Sequence, residues 1–247
     1  MMDFHCHLDL YPNAREIYAQ AVERNTFTWL VTTSPRAFTA TSRVLGSHRN
    51  VLITPGLHPE IVHERHGELA DLLEQIKHVS AVGEIGLDGS RRFQHSYETQ
   101  QRVFAATIEQ CAAVGGRVLS IHSRQAVKDV LSVLAQHPGF GTAVLHWFTG
   151  TVAELKAASE MGCWFSIGPA AFTSASGKSL AKKLPRDRVV PESDGPFAQV
   201  DGATVMPWSS DDTAELLARA WGLPVNEVRL RLEANSRRLI GAIQRAA

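Results

Sequence analysis

Residues 79–88 read VSAVGEIGLD. A short apolar run comes first, and two carboxylates, Glu84 and Asp88, lie at its end and just beyond it. A carboxylate among apolar strand residues is costly to bury unless a partner compensates its charge. The segment therefore predicts a buried strand with a chemically active end.

The same arrangement recurs along the whole chain. Runs rich in Val, Ile, Leu and aromatic residues alternate with longer amphipathic stretches, and near-continuous apolar character is typical of parallel strands that are covered on both faces. The predicted strands are Met2–His5, Phe27–Thr33, Val51–Pro55, Val79–Gly83, Val118–Ile121, Thr142–Leu145, Cys163–Ile167 and Arg188–Val190.

The stretches between these runs have the sequence features of helices. Tyr97–Val114 places apolar residues at helical spacing, and capping residues, Pro or acids mark helix starts while glycines mark helix ends. These marks are Ser34-Pro35, Asp211-Asp212, Gly115-Gly116 and Gly162. Eight strands that alternate with helices predict an α/β fold, a (β/α)8 TIM barrel over residues 1–247 as a single domain. An open doubly wound sheet is the alternative.

Composition narrows the class of protein. The chain has 247 residues, with 25 Lys+Arg balanced by 25 Asp+Glu. This balance does not indicate a broad basic surface for binding nucleic acid. Its three cysteines are far apart and form no CxxC pair, which indicates a reducing compartment. We see no secretory signal and no apolar run of roughly 20 residues, and we expect a cytoplasmic protein.

Titratable residues follow six of the predicted strands. Strand carboxyl ends meet on one face of a barrel, so residues that are distant in sequence would share one cleft. Imidazole nitrogens and carboxylate oxygens suit divalent ions such as Zn, Mn or Mg. The candidates are His5, His7, His58, Glu84, His122, His146, Glu192 and Asp194.

The HxH pair and Glu84 carry the chemical argument. Side chains at i and i+2 of a strand point the same way, so His5 and His7 can reach one ion, whereas Cys6 points into the core. Glu84 could bridge two ions, and a pair of ions about 3.5–4 Å apart would clamp the attacking and leaving oxygens of a phosphodiester. Asp194 could bind one ion and accept a proton from water.

Each residue alone has a simpler interpretation. An isolated HxH is more often no metal site, His58 beside a proline is often a turn residue, and Asp194 before Gly-Pro is often a turn former. The joint pattern is much stronger than any of its members. The remaining histidines fall on predicted helices or loops, and we expect them at the surface: His48, His63, His66, His78, His95 and His137.

The motifs HCHLD, GLHP, GEIGLD, IHSR, HWFTG and ESDGP resemble, in order and over nearly the whole chain, the TatD-like metal-dependent deoxyribonucleases. The resemblance implies a TIM barrel of the amidohydrolase superfamily with one or two divalent ions, and DNA as substrate. It implies one ion held by His5, His7, Glu84 and Asp194, and another held by Glu84, His122 and His146. Asp194 would be the general base, and Glu192 and His58 would support the site.

Two segments depart from the family pattern. Gly89-Ser90 stands where the family usually has an aromatic pair. Residues 197–208, which include Met206-Pro207, contain no Arg, whereas the family has an Arg-rich stretch and an Asn-x-Pro motif there. The compact chain and this altered segment are most similar to the TatD-type component of the four-gene Qat anti-phage systems. That similarity implies partners in bacterial defence: an ATPase, a QueC-like enzyme and one further protein.

Three functions follow, of which a metal-dependent phosphodiesterase acting on DNA leads. A metal-dependent amide or ester hydrolase, such as an aminoacyl-tRNA deacylase, is the second, and a non-catalytic subunit of a defence complex is the third. Arg124 and Trp147 are the preferred candidates for substrate contact. Other aromatic residues after strand ends, Phe148, Phe172, Phe197 and Trp208, could stack on bases, but we expect most of them to pack the barrel mouth.

Overall fold

The computed structural model describes residues 1–246, so the predicted domain end at Ala247 lies outside the described residues. All eight predicted strands are present, each within two or three residues of its predicted ends. They are β1 (Met2–Cys6), β2 (Phe27–Val31), β3 (Val51–Thr54), β4 (Ala81–Gly86), β5 (Arg117–His122), β6 (Gly141–Leu145), β7 (Trp164–Ile167) and β8 (Val189–Pro191).

Helices follow the strands, as the alternating pattern predicts. All four sequence marks are confirmed: α2 begins after Ser34, whose side chain accepts a hydrogen bond from the Ala37 N–H, Asp211 and Asp212 lie in the first turn of α9, and Gly115 and Gly162 follow the ends of α5 and α7. The helix α5 lies where Tyr97–Val114 predicted it. The helices are α1 (Ala14–Arg24), α2 (Pro35–Leu45), α3 (Val62–Arg65), α4 (Leu69–Ile76), α5 (Tyr97–Ala113), α6 (Val127–Gln136), α7 (Val152–Glu160), α8 (Ala175–Ala181), α9 (Ser210–Trp221) and α10 (Val225–Arg245). Short 3-10 turns precede α1, α3, α4, α5 and α8.

The strands are parallel neighbours in chain order, from β1 to β3 and from β4 to β8. Backbone hydrogen bonds close both seams. The Gly83 N–H donates to the carbonyl of Pro55 at 2.9 Å, and the Asp194 N–H donates to the carbonyl of His5 at 2.9 Å. The sheet is therefore a closed barrel, and the open doubly wound alternative is wrong.

Apolar residues fill both the barrel and the layer beneath the helices. Phe4, Trp29 and Val144 lie inside with no exposure, and on α5 the predicted core positions Phe104 and Ile108 pack under the sheet. None of the helices in residues 1–246 is long and apolar enough to cross a membrane.

A short hairpin that the sequence did not predict follows the eighth strand. Its strands, β9 (Gln199–Val200) and β10 (Ala203–Thr204), pair antiparallel. The loop after β8 leaves the barrel at its carboxyl end, and the hairpin begins two residues after Phe197, which lines the cleft there.

Candidate metal centre

Glu84 is the centre of the site at the carboxyl ends of the strands. It lies near the end of β4 and is 1% exposed. Its Oε1 lies 2.9 Å from His146 Nε2, 3.0 Å from His122 Nδ1 and 3.1 Å from His58 Nε2. Three imidazoles from the ends of β3, β5 and β6 thus surround one carboxylate oxygen.

The other oxygen of Glu84 faces the HxH pair. Its Oε2 lies 3.1 Å from His7 Nε2 and 3.4 Å from His5 Nε2. Asp194 Oδ1 approaches the same two nitrogens, at 3.5 Å from His5 Nε2 and 3.8 Å from His7 Nε2. The six predicted ligands and His58 therefore converge on one place, with Glu84 between two groups of donors.

The donor set fits divalent ions. His5 Nε2 and Glu84 Oε2 are buried and, although they lie 3.4 Å apart, neither forms a hydrogen bond of good geometry. An unpaired buried polar atom is destabilising unless something compensates it. Two overlapping groups of ligand atoms each lie within 4.8 Å of one another: His5, His7 and Glu84, and His58, Glu84 and His122. A cation at either group would satisfy the donors that the protein leaves unpaired.

Electrostatics keep Glu84 ionised. Burial raises the pKa of its carboxyl, but His58, His146 and His5 outweigh burial and hold that pKa well below its ordinary value. The pKa of His5 is lowered, first by burial and then by the neighbouring His146. His5 is therefore a neutral imidazole with a free lone pair, which is the form that binds a metal ion.

Asp194 has a different balance. Its pKa is raised to about 7, mainly because burial disfavours the charged carboxylate, while His146 and His7 oppose this effect. Its backbone has a positive φ of 50°, an uncommon conformation for a non-glycine residue. This conformation is stabilised by the hydrogen bond from its N–H to β1.

A buried aspartate on β1 joins the two segments that carry the candidate ligands His5, His7 and Asp194, and the sequence pattern did not reveal it. Asp3 Oδ2 accepts a hydrogen bond from Ser193 Oγ at 2.6 Å, and its Oδ1 accepts from the Ser193 and His5 N–H groups at 3.0 and 3.2 Å. Because Ser193 precedes Asp194, Asp3 holds both ligand segments in register. Ser120 Oγ lies 2.7 Å from His5 Nδ1 and orients that ring from inside the barrel.

Asp88, at the end of the motif in residues 79–88, supports His122. Its Oδ2 lies 2.9 Å from His122 Nε2. Burial raises the pKa of Asp88, but hydrogen bonds from His122 and Ser90 outweigh burial and lower it to about 2. A carboxylate on the far nitrogen of a ligand histidine fixes the ring and its tautomer. The position of Asp88 at the end of the GEIGLD motif is the sequence feature that could have predicted this contact.

Glu192, which the family resemblance places near the site, lies behind His146 and Trp147. Its Oε1 accepts from the Trp147 N–H at 2.9 Å, and its Oε2 accepts from Ser166 Oγ at 2.5 Å. The same Oε2 lies 3.8 Å from His146 Nδ1. The contact with Trp147 holds the loop after β6 in a conformation with a positive φ of 35° at that tryptophan.

A cavity of about 330 Å³ opens above the ligands. Among the described residues that line it, Arg124 is the single lysine or arginine, and its side chain is exposed. Trp147 lines the wall but is half-buried, and Phe197 lines the mouth with 60% of its surface exposed. The expectation of mouth packing is correct for Phe148 and Phe172, which are buried, and wrong for Phe197.

The departures from the family pattern have structural reasons. The Gly89 N–H donates to the carbonyl of Arg124 at 2.9 Å, and a Cβ at Gly89 would lie 2.4 Å from the carbonyl oxygen of Gln125. A larger residue cannot occupy this position with the same backbone. At the other segment, Pro207 accepts a hydrogen bond from the buried Asn25 amide at 2.8 Å, and the Arg24 guanidinium lies 4.5 Å above the Trp208 ring. Residues 207–208 therefore pack against the end of α1.

Known proteins share this architecture and sequence. The family model described as TatD related DNase matches residues 2–241. The human protein named Deoxyribonuclease TATDN3 is 28% identical over 253 residues, which cover 92% of this chain and 90% of that protein. The protein of Pectobacterium parmentieri named 3'-5' ssDNA/RNA exonuclease TatD is 32% identical over 154 residues, covering 58% of this chain and 57% of its own length.

Solved structures show the same fold. The crystal structure of YJJV, a TatD homologue from Escherichia coli, superposes with a TM-score of 0.85 at 21% identity, and 96% of each chain is covered. The TatD-family hydrolase of Entamoeba histolytica superposes with a TM-score of 0.79 at 19% identity, again over 96% of each chain.

Proposed function

The chain belongs to the TatD-related DNase family of metal-dependent hydrolases, and from this premise we propose that it cleaves phosphodiester bonds of DNA. One observation carries the proposal. Imidazole nitrogens of His5, His7, His58, His122 and His146 lie between 2.9 and 3.4 Å from the two oxygens of one buried carboxylate, Glu84. A shared carboxylate between two groups of nitrogen donors is the arrangement that a two-ion hydrolytic centre needs.

We assign the ligands as follows. His5, His7 and Asp194 with Glu84 would hold one divalent ion, and His122 and His146 with the same Glu84 would hold the other, with Zn, Mn or Mg as candidates. His58, at 3.1 Å from Glu84, would assist the second group. Bound ions would supply a Lewis acid for the phosphoryl oxygens and would lower the pKa of a nearby water.

Asp194 is the proposed proton acceptor, and with Glu84 it forms the catalytic pair. Its carboxylate lines the cavity, and its N–H is fixed by the carbonyl of His5, so the oxygen keeps one position relative to β1. A general base must lie within hydrogen-bond reach of the proton that it removes. Asp194 meets this need on the open side of the histidine pair.

Arg124 and Trp147 are the proposed substrate contacts. Both line the cavity, and Arg124 offers a planar, permanently charged group that suits a phosphate oxygen. We propose that the whole chain acts as one domain in the cytoplasm, because its strands form a single barrel and none of its cysteines, all buried, is paired.

The altered segments support a finer proposal, that the protein is the nuclease component of a Qat-type anti-phage system. Gly89 and residues 207–208 are built into this chain's own packing, so the departures are integrated features of its fold. The proposed partners are an ATPase and a QueC-like enzyme. A phage challenge of cells that carry the intact gene set tests this: Glu84→Ala is expected to abolish protection while the complex still co-purifies. Protection that survives Glu84→Ala would indicate a non-catalytic subunit instead.

The nuclease activity is tested with purified protein, loaded separately with Mg, Mn or Zn, on single-stranded and duplex DNA. His122→Ala is expected to lower the cleavage rate by more than about 100-fold. His78→Ala is the matched control, because that histidine is 72% exposed on its side chain and lies at the end of α4, away from the site. Equal rates for the wild type and His122→Ala contradict the proposal. Hydrolysis of an aminoacyl ester or a small amide, with none of DNA, would favour the second hypothesis.

A further inference from the structure

Phe197 is an apolar ring in an unusual place. It is 60% exposed, although burial of a phenylalanine side chain stabilises a fold by about 1.5–3 kcal/mol. Its ring stands edge-on to the candidate ligand His7, with 5.1 Å between ring centroids and 75° between ring planes. The exposed ring therefore lies at the mouth of the cavity, next to the metal centre.

The backbone fixes the position of this ring. The next residue, Ala198, is 1% exposed, and its N–H donates to the carbonyl of Asp194 at 2.9 Å. The Val205 N–H in turn donates to the carbonyl of Ala198 at 2.9 Å, and Tyr11 Oη donates to the carbonyl of Val205 at 3.1 Å. Because its neighbour is anchored inward, Phe197 is held outward, and little conformational entropy is lost when a ligand packs on it.

Charge at the mouth is sparse. Residues 197–208 contain no Lys or Arg, and in residues 1–246 the cavity lining includes Arg124 as its single strong cation. Proteins that bind DNA through its backbone use several cations, because each neutralised phosphate adds affinity. This cleft offers one such contact and one largely exposed aromatic ring, which is the combination used to hold an unstacked base.

We propose that Phe197 is the stacking platform for a nucleobase at an unpaired DNA end, which places the adjoining phosphodiester over the metal centre. This inference rests on the proposed function. The other aromatic residues after strand ends are less exposed: Phe148 and Phe172 are buried, Trp208 is half-buried beneath Arg24, and Trp147 is half-buried in the cavity wall, with its N–H bonded to Glu192. A base inside a duplex is already stacked on its neighbours, so the platform selects single-stranded ends.

Binding tests the platform directly. The probes are fluorescein-labelled thymidine oligonucleotides with a 3′-terminal thymidine or with a tetrahydrofuran abasic residue in its place, measured by anisotropy with the metal-loaded protein in Ca²⁺ to slow cleavage. The wild type is expected to bind the oligonucleotide with the base about 5- to 100-fold more tightly. Phe197→Leu, which retains an apolar contact with His7 but has no aromatic face, is expected to bring this ratio close to one, and Phe197→Tyr to restore it.

A ratio that is unchanged in Phe197→Leu overturns the inference, as does a wild-type ratio of one for both a 3′- and a 5′-terminal abasic residue. Cleavage of the same oligonucleotides in Mg²⁺ or Mn²⁺ separates this failure from failure of the proposed function. A wild type that binds in a base-dependent way and cleaves neither oligonucleotide would refute the nuclease and retain the platform. A wild type that cleaves both equally would retain the nuclease and refute the platform.

Discussion

The two ends of the barrel differ in how their buried polar groups are bonded. At the carboxyl ends of the strands, His5 Nε2 and Glu84 Oε2 are buried without hydrogen-bond partners, and Trp147 and Asp194 have positive φ values. At the amino ends, the buried Arg117 guanidinium donates to the carbonyls of Ile76, Val114 and Gly116 at 2.8–3.1 Å. The unpaired atoms at the carboxyl end are metal-ligand types that lie together around one site, whereas the unpaired atoms at the amino ends, such as Asn25 Oδ1 and Arg188 Nε, belong to separate residues beside fully bonded groups such as Arg117.

Stability and activity therefore depend on different ends of the barrel. Strained residues and unpaired polar atoms persist only where the surrounding structure holds them, and they concentrate at functional sites. In barrels, the carboxyl end of the strands carries chemistry and the amino end carries stability. The comparison predicts that substitutions at the two ends affect different measurements.

The largest effect is expected for Asp194→Asn. Loss of the proposed proton acceptor should lower kcat by about 10²–10⁴-fold. Stability should change the other way in metal-free protein. Burial raises the pKa of Asp194 to about 7, so the folded wild type loses stability as pH rises from the ordinary carboxyl range through about 7, where this group ionises. The asparagine variant lacks that loss and should melt at an equal or higher temperature at pH 8 in EDTA.

Thermal melting in EDTA at pH 5 and pH 8, with kcat measured on metal-loaded enzyme, checks both parts. Asp187→Asn is the control, because that side chain is 64% exposed at the opposite end of the barrel. If Asp194→Asn melts well below the wild type at pH 8 without metal, the buried Asp194 carboxylate does not destabilise the metal-free fold, and the prediction is wrong.

Arg117→Ala is expected to have the next largest effect, and on stability alone. Its removal leaves three backbone carbonyls at the amino end of β5 without their donor, which should lower the free energy of unfolding by about 2–3 kcal/mol. Urea denaturation measures this change, and exposed Arg102, whose guanidinium donates only to Thr99, supplies the control Arg102→Ala. Activity per folded molecule should equal that of the wild type. A fall in kcat would show that the amino end of the barrel also affects activity, which would contradict the comparison.

The sequence was sufficient to predict the barrel and the convergence of the candidate ligands, for one physical reason. Strands that are covered on both faces are apolar along their length, and their ends meet, so titratable residues after apolar runs such as Ala81–Gly86 predict a shared site. The hairpin of β9 and β10 escaped prediction because strands of two residues have too few positions to show a pattern.

Residues whose role depends on tertiary contacts were not predicted, for another reason. Asp3 bonds Ser193, which is 190 residues away, and nothing local in the sequence distinguishes it from an ordinary strand residue. The exposure of Phe197 was missed because it depends on the burial of its neighbour Ala198, and one residue of shift in that loop would exchange the two. Sequence patterns locate the ends of elements, and they do not determine which side chain of an irregular loop faces the cleft.

Glu192 directly follows β8 at the carboxyl end, but it contacts both the strands and the site, so it provides the finest test of the comparison. One carboxylate oxygen is bonded to Ser166 of β7 inside the barrel, and the other accepts the N–H of Trp147 in the cavity wall. Its position 3.8 Å from His146 Nδ1 adds a negative charge behind a proposed ligand. Stability and activity should therefore respond together here.

Glu192→Gln retains the size of the side chain and one carbonyl acceptor, but it removes the charge behind His146. We expect kcat/KM to fall by about 10- to 100-fold, as for other residues that orient a metal ligand, with a smaller loss of stability than for Arg117→Ala because a hydrogen-bonding partner remains for either Ser166 or Trp147. The informative measurement is the melting temperature as a function of metal concentration. If His146 is less well oriented, the metal binds more weakly and the midpoint of this titration moves to a higher metal concentration. A variant with unchanged metal affinity and unchanged kcat/KM would show that Glu192 contributes to stability alone. Activity would then depend on the proposed ligands and not on the residues behind them.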